Sequence, residues 1–149
     1  MADVVANIAK GRILTYAGLP AANDALVAIP LEATGLPSDD TLQDYDTMAA
    51  LLAGAATEQT SMGRQTLTGV VISVDDTENT AGFDANDILW TAATGNPVGK
   101  LAICYDPDTT GGTDADLVPL TLHDFEVTPD GSDIVARVHA DGVSVESDA

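Results

Sequence analysis

The clearest alternation of apolar and polar positions spans residues 99–127 and predicts a long β-hairpin. In its first strand Leu101, Ile103 and Tyr105 share one face at a period of two. Ala102 and Cys104 make the opposite face apolar as well. A strand that is apolar on both faces is covered on both sides, so we expect it at the centre of a sheet.

The second strand of this hairpin changes phase along its length. Its apolar residues lie first on one face and then on the other, as Val118, Leu120 and Leu122 followed by Phe125 and Val127. A β-bulge near His123 and Asp124 reconciles the two phases. Because Pro119 has no amide hydrogen, we expect the strand to lie at a sheet edge or to begin at that point.

The remaining pattern predicts short strands and a single helix. Strands are predicted at residues 25–33, 66–74, 88–93 and 134–138, with a polar loop at 75–82 and a turn at 128–133. Helical spacing over residues 41–53, with Asp39 or Asp40 as the N-cap, predicts an amphipathic helix that lies on a sheet. Residues 1–20 are ambiguous; residues 12–16 favour a strand, and we interpret the segment as a first strand or a docking arm.

Together these elements predict a mainly β chain, a two-layer β-sandwich or open barrel of about seven strands with one amphipathic helix. At 149 residues the chain suits one β-rich domain. The acidic residues 140–149 are expected to form a frayed tail.

The charge of the chain is strongly one-sided. It has 24 acidic residues against five lysines and arginines, a formal net charge of −19, although 45% of its residues are hydrophobic. This composition favours a folded protein from a salt-loving organism, because at molar salt the Debye length shrinks to about 3 Å and carboxylate repulsion becomes local. An ordinary acidic protein is the alternative, and in either case we expect no direct binding to nucleic acid.

The chain shows no targeting or membrane signal and has one cysteine. Its first residues lack the features of a signal peptide, and no window approaches the roughly 20 apolar residues of a membrane span, so a soluble protein made in the cytoplasm is expected. Cys104 lies within an apolar strand and is predicted to be a buried, inert thiol.

The loop of the long hairpin is the best candidate for a cation site. It carries four carboxylates, on Asp106, Asp108, Asp114 and Asp116. Hard cations such as Ca²⁺ and Mg²⁺ prefer oxygen ligands, but the calcium-loop pattern fails because Thr110 and Leu117 stand where ligands are needed. We therefore favour a solvated hairpin tip without a cofactor, and weak cation binding is the alternative.

Three other features are interpreted as structural. Residues 95–101 resemble a phosphate loop, but the loop is one residue short and has Leu101 in place of Ser or Thr. His123 beside Asp124 suggests an oriented imidazole, and His139 is a second one, yet no Gly-x-Ser-x-Gly motif supplies a nucleophile. Trp90 is expected in the core. No catalytic residue is predicted.

Several segments combine strand and turn patterns in a characteristic way: MGRQTLT at 62–68, WTAATG at 90–95, CYDPDTTGGTDAD at 104–116, PLTLHDF at 119–125 and TPDGSD at 128–133. In these segments the chain resembles a family of small virion structural proteins of tailed viruses, the head decoration and minor capsid proteins, and the resemblance covers most of the chain. The acidic tail from Ala140 departs from that pattern.

The resemblance implies a non-enzymatic protein of the capsid surface, assembled in the host cytoplasm. Its partners would be the major capsid protein, other virion subunits and further copies of itself. We therefore expect a capsid-associated protein of a tailed virus that infects a salt-loving host. The alternatives are a cation- or glycan-binding β module and, third, a hydrolase with a pocket around His123. Docking is predicted at the N-terminal segment, through Val4, Val5, Ile8, Lys10 and Arg12.

Overall fold

A computed structural model of the chain describes residues 3–54, 56–138 and 144–147. Within these ranges the chain is mainly strands, which confirms the predicted fold class. The elements in chain order are β1 (Val4–Val5), a 3₁₀ helix (Asn7–Ala9), α1 (Ile13–Gly18), β2 (Ala25–Glu32), α2 (Asp39–Leu42), α3 (Met48–Gly54), β3 (Gln65–Thr66), β4 (Val71–Asp75), β5 (Thr80–Asp84), β6 (Ile88–Trp90), β7 (Val98–Asp106), β8 (Val118–Val127), β9 (Ile134–Ala136) and β10 (Ser144–Ser147).

An antiparallel five-stranded sheet in the order β1-β8-β7-β2-β3 forms the centre of the fold. The predicted hairpin is confirmed as β7 and β8, and β7 is the middle strand. Leu101 and Ile103 pack into one core and Ala102 and Cys104 into the other, on the opposite face. Apolar residues on both faces of the strand therefore predicted its central position correctly.

Strand β8 contains two irregularities rather than one. The register passes from Lys100 opposite Asp124 to Val98 opposite Val127, which gives an extra residue directly after Asp124, close to the predicted bulge. A second extra residue, Leu120, lies between the pairs Ile103–Thr121 and Cys104–Pro119. Because of this second bulge Leu120 and Leu122 belong to different cores, so the prediction that they share a face was wrong.

The two faces of the central sheet bury two separate cores. One core lies against β5, β6 and β9, whose buried residues include Phe83, Trp90 and Ile134. The other lies under α2 and α3, through Leu42, Met48 and Leu51. The smaller strands form a sheet in the order β10-β5-β4 and a β6–β9 ribbon. The predicted 66–74 strand is divided into β3 and β4, and β5 begins inside the predicted 75–82 polar loop, so the prediction of a loop there was wrong for residues 80–82.

The predicted helix over residues 41–53 is divided into α2 and α3, so the expectation of one continuous helix was wrong. Tertiary hydrogen bonds replace the helical ones at the break. The Gln43 carbonyl accepts from the Asn7 amide (2.7 Å), and the Met48 amide donates to the Leu117 carbonyl (3.1 Å). Ser38 is the N-cap of α2 and accepts from the Thr41 amide, whereas Asp39 lies in the first turn.

Both chain ends also depart from expectation. The strand favoured at residues 12–16 is wrong, because α1 begins at Ile13 after Gly11, whose φ of 75° reverses the chain. Near the other end Ser144–Ser147 forms β10 beside β5, where a frayed tail was expected. The rest of residues 140–149, and His139, lie outside the described residues.

Candidate functional site

The N-terminal docking residues do not form a separate arm. Val4 and Val5 pair with Leu122 and Thr121 of β8, and each is half-buried against one of the two cores. Ile8 is also half-buried. Lys10 and Arg12 are exposed, and the Lys10 Nζ donates to Asn7 Oδ1 (2.6 Å). The segment therefore matches the first-strand interpretation, and its valines pack inside the chain's own fold.

The most exposed apolar segment among the described residues is β4, at one edge of the sheet β10-β5-β4. Val71 is 60% exposed, Ile72 41% and Val74 68%. Within the described part of the chain β4 has β5 as its one strand partner, so its other edge has no strand paired to it there, and Ile72 lies beside Gly18 of α1. The sequence pattern missed this surface because a β-branched run predicts a strand without showing whether its faces are covered.

A second exposed apolar pair lies on the β6–β9 ribbon. Leu89 (49% exposed) lies directly opposite Val135 (45% exposed). Exposed apolar side chains in such clusters are typical of contact surfaces between proteins.

Three of the four aspartates of the hairpin loop accept hydrogen bonds from neighbouring loop residues. Asp106 accepts from the Asp108 amide, Asp108 from Thr110 and Gly111, and Asp116 from Thr113. The hydrogen bonds from Thr110 lower the pKa of Asp108 below its ordinary value. Among the described residues no group of three or more His, Cys, Asp or Glu side chains is placed to hold a metal ion.

The fourth loop carboxylate, Asp114, belongs to an ion-pair cluster around Arg64. The guanidinium donates to Glu58 through Nε and Nη2 (2.7 and 2.8 Å) and to Asp114 through Nη1 (2.7 Å). These hydrogen bonds raise the pKa of Arg64. Bidentate pairing of this kind fixes geometry, so Arg64 ties the hairpin loop to the segment before β3.

Lys100 lies in the middle of the sheet with no exposed side-chain surface. Its Nζ is 2.7 Å from Asp124 Oδ1, directly across the β7–β8 pair, and 3.0 Å from Asp39 Oδ1 on α2. Burial disfavours the charged ammonium, but the hydrogen bonds to Asp124 and Asp39 outweigh it, so the pKa of Lys100 is raised. Lys100 therefore joins α2 to the sheet.

His123 is oriented by Asp3 and not by its neighbour Asp124, which lies on the Lys100 side of the sheet. His123 Nδ1 is 3.0 Å from Asp3 Oδ2, and Nε2 is 2.9 Å from Thr121 Oγ1. Asp3 Oδ1 also accepts from the Asp124 amide (2.6 Å). Burial raises the pKa of Asp3, but the hydrogen bonds from His123 and Asp124 dominate, and the net effect is a lowered pKa.

A cavity of about 260 Å³ opens beside His123. Its apolar wall includes Leu101, Ile103 and Phe125, and Asp3, His123 and Arg137 supply polar groups. The order acid, imidazole, hydroxyl resembles a catalytic triad. However, Thr121 is 2% exposed and is not among the described residues that line the cavity, so its hydroxyl is not presented to a substrate there. The arrangement instead connects the start of β1 to β8.

Two further expectations concern buried side chains. Trp90 is 1% exposed, and its Nε1 donates to the Gly63 carbonyl (2.9 Å), which confirms its place in the core. Cys104 is fully buried, and burial raises the pKa of its thiol, as expected for an inert cysteine.

Comparison with known proteins adds no relative. No family model matches the chain, and neither the curated proteins nor the solved structures contain a match. Across residues 3–54, 56–138 and 144–147, every helix is too short or too polar to cross a membrane.

Proposed function

We propose that this chain is a non-enzymatic structural subunit of a virus particle, a decoration or minor capsid protein of a tailed virus whose host lives in high salt. The observation that carries the proposal is the apolar edge strand β4 on a chain with a net charge of −19. A strand edge with exposed valines and isoleucine is suited to contact with another protein subunit.

High salt favours an apolar contact between subunits over an electrostatic one. Ion pairs on an exposed surface are weak and are screened at molar salt, whereas burial of apolar surface does not depend on charge. The exposed side chains of Val71 and Val74 can therefore contribute to assembly where most of the surface is acidic. The partners in this proposal are the major capsid protein and other subunits at the capsid surface.

The test is to locate the chain in virus particles. An antibody against the purified protein is used on density-gradient fractions from a virus-producing culture grown in high salt. We expect the chain to sediment with DNA-filled heads at a fixed ratio to the major capsid protein. A chain that stays in the soluble fraction and is absent from the particles contradicts the proposal. A parallel fraction from an uninfected culture is the control.

A further inference from the structure

The edge of β4 has a sequence that is complementary to itself. The strand has five residues, Val71–Asp75, and every one of them is exposed. Its only charged residue, Asp75, is at one end. Beyond the other end Gly69 has a φ of 64°, so the extended backbone does not continue far past Val71.

We propose that β4 pairs antiparallel with β4 of a second copy of this chain, around a two-fold axis at Ser73. This inference rests on the proposed function, because it names the partner of the surface on which that function is argued. Two-fold pairing of one strand with itself is an isologous contact and joins the sheet β10-β5-β4 of each copy into one continuous sheet.

The register follows from the positions of the side chains. With Ser73 opposite Ser73, Ile72 of each copy lies opposite Val74, and the four side chains meet on one face of the sheet. Asp75 lies opposite Val71, so no two carboxylates face each other. An axis moved to Val74 places Asp76 opposite Ile72, and an axis moved to Asp75 places the two Asp75 carboxylates opposite each other. A shift the other way runs into Gly69. Only the Ser73-centred register pairs all five residues.

The strength of the contact depends on salt and on local concentration. A pair of five-residue strands buries less surface area than the roughly 1,200 Å² of a stable interface, so the dimer is weak in dilute solution. Each copy also carries a net charge of −19, and this repulsion is local only when salt is high. Copies held side by side on a particle have a high effective concentration, which populates a weak contact.

A cysteine at the two-fold axis tests the register directly. Residues that face each other in an antiparallel pair have Cα atoms about 4.5–5.5 Å apart, which fits a disulfide. The S73C variant carries one exposed thiol, because Cys104 is fully buried. With dissolved oxygen and a copper catalyst in molar salt, we expect a disulfide-linked dimer on non-reducing gels.

Thr77→Cys is the matched control, because Thr77 is exposed on the same hairpin but lies far from its symmetry mate in this register. We expect it to cross-link several-fold more slowly than S73C. Adding Val74→Asp to S73C should slow cross-linking about tenfold or more, since it places a charge against Ile72 of the other copy. Adding Val135→Asp to S73C should not slow cross-linking, because Val135 is an exposed valine on the β6–β9 ribbon, away from β4. Circular dichroism shows that each variant is folded.

The pairing is overturned if S73C cross-links no faster than T77C, or if V74D has no more effect than V135D. Particles that contain S73C separate this result from the proposed function. If the thiol of the S73C variant forms a disulfide in particles with a protein of different mass, the occupant of β4 is another subunit and the second-copy proposal is wrong. If S73C dimerises in solution but the chain is absent from particles, the pairing holds and the proposed function fails.

Discussion

The replacement of Lys100 by methionine tests whether its ion pairs hold the fold together. The Lys100→Met change keeps the length of the buried stem and removes the charge between Asp39 and Asp124. Two carboxylates then face each other without a cation. Removing one partner of a buried ion pair typically costs about 3–5 kcal/mol. Because Asp39 is 19% and Asp124 35% exposed, water reaches both, and we expect the low end, about 3 kcal/mol.

The assay is urea denaturation at molar salt, followed by circular dichroism. We expect a lower midpoint with an unchanged slope, because the same surface is exposed on unfolding. In a thermal melt the same loss corresponds to a midpoint lower by about 10 °C for a chain of this size. Lys10→Met is the matched control: Lys10 is exposed and bonds to Asn7 and Gln43, so its change should cost less than about 0.5 kcal/mol.

The dependence on pH separates charge from packing. The raised pKa of Lys100 means that its contribution to stability is complete below its ordinary value of 10.5 and is lost as pH rises through the higher folded value. A triple variant separates the two effects at constant pH. The loss of unfolding free energy in Lys100→Met should be smaller when Asp39 and Asp124 are also changed to Asn. If Lys100→Met costs no more than Lys10→Met, or if the double neutralisation restores nothing, the ion pairs do not stabilise the fold.

Three further outcomes are expected. Lowering salt from molar to millimolar should unfold the chain because carboxylate repulsion becomes long-ranged, and an unchanged cooperative melt by circular dichroism would refute this. Asp3→Asn should destabilise the chain at neutral pH; since the pKa of Asp3 is lowered in the fold, the gap from wild type in urea melts should close as pH falls below about 3.8. Calorimetry in high salt should find no calcium binding of micromolar affinity, because the Asp108 carboxylate already accepts from Thr110 and Gly111; such binding, abolished by Asp108→Ala, would show the opposite.

The parts of the fold that the sequence predicted are those set by local pattern. The central strand followed from apolar residues on both faces of 101–105, and the turn at 128–133 from Gly131, whose φ of 92° suits glycine. The helix at 41–53 was not predicted correctly, because Asn7 and Leu117, distant in sequence, form the hydrogen bonds that divide it. No local pattern contains these partners.

The contacts of the candidate sites were harder to predict, because their partners are also distant in sequence. A lysine inside an apolar strand was visible at position 100, but its partners Asp39 and Asp124 are 61 and 24 residues away in sequence. The β4 valines were predicted as a strand, and their exposure depends on what covers the sheet β10-β5-β4. Asp3, which orients His123, lies 120 residues from it along the chain.

The positions of Arg64 and Lys100 have a consequence for how the chain can change its solvent. Each of these two cations joins two carboxylates from separate segments, so neither can be exchanged without disturbing the fold. Asp75, in contrast, accepts hydrogen bonds from backbone amides of its own turn, at Thr77 and Glu78. A carboxylate such as Asp75 therefore adds to the net charge without joining separate segments of the described chain. Selection for lower or higher salt can therefore act on carboxylates in turns and leave Arg64 and Lys100 unchanged.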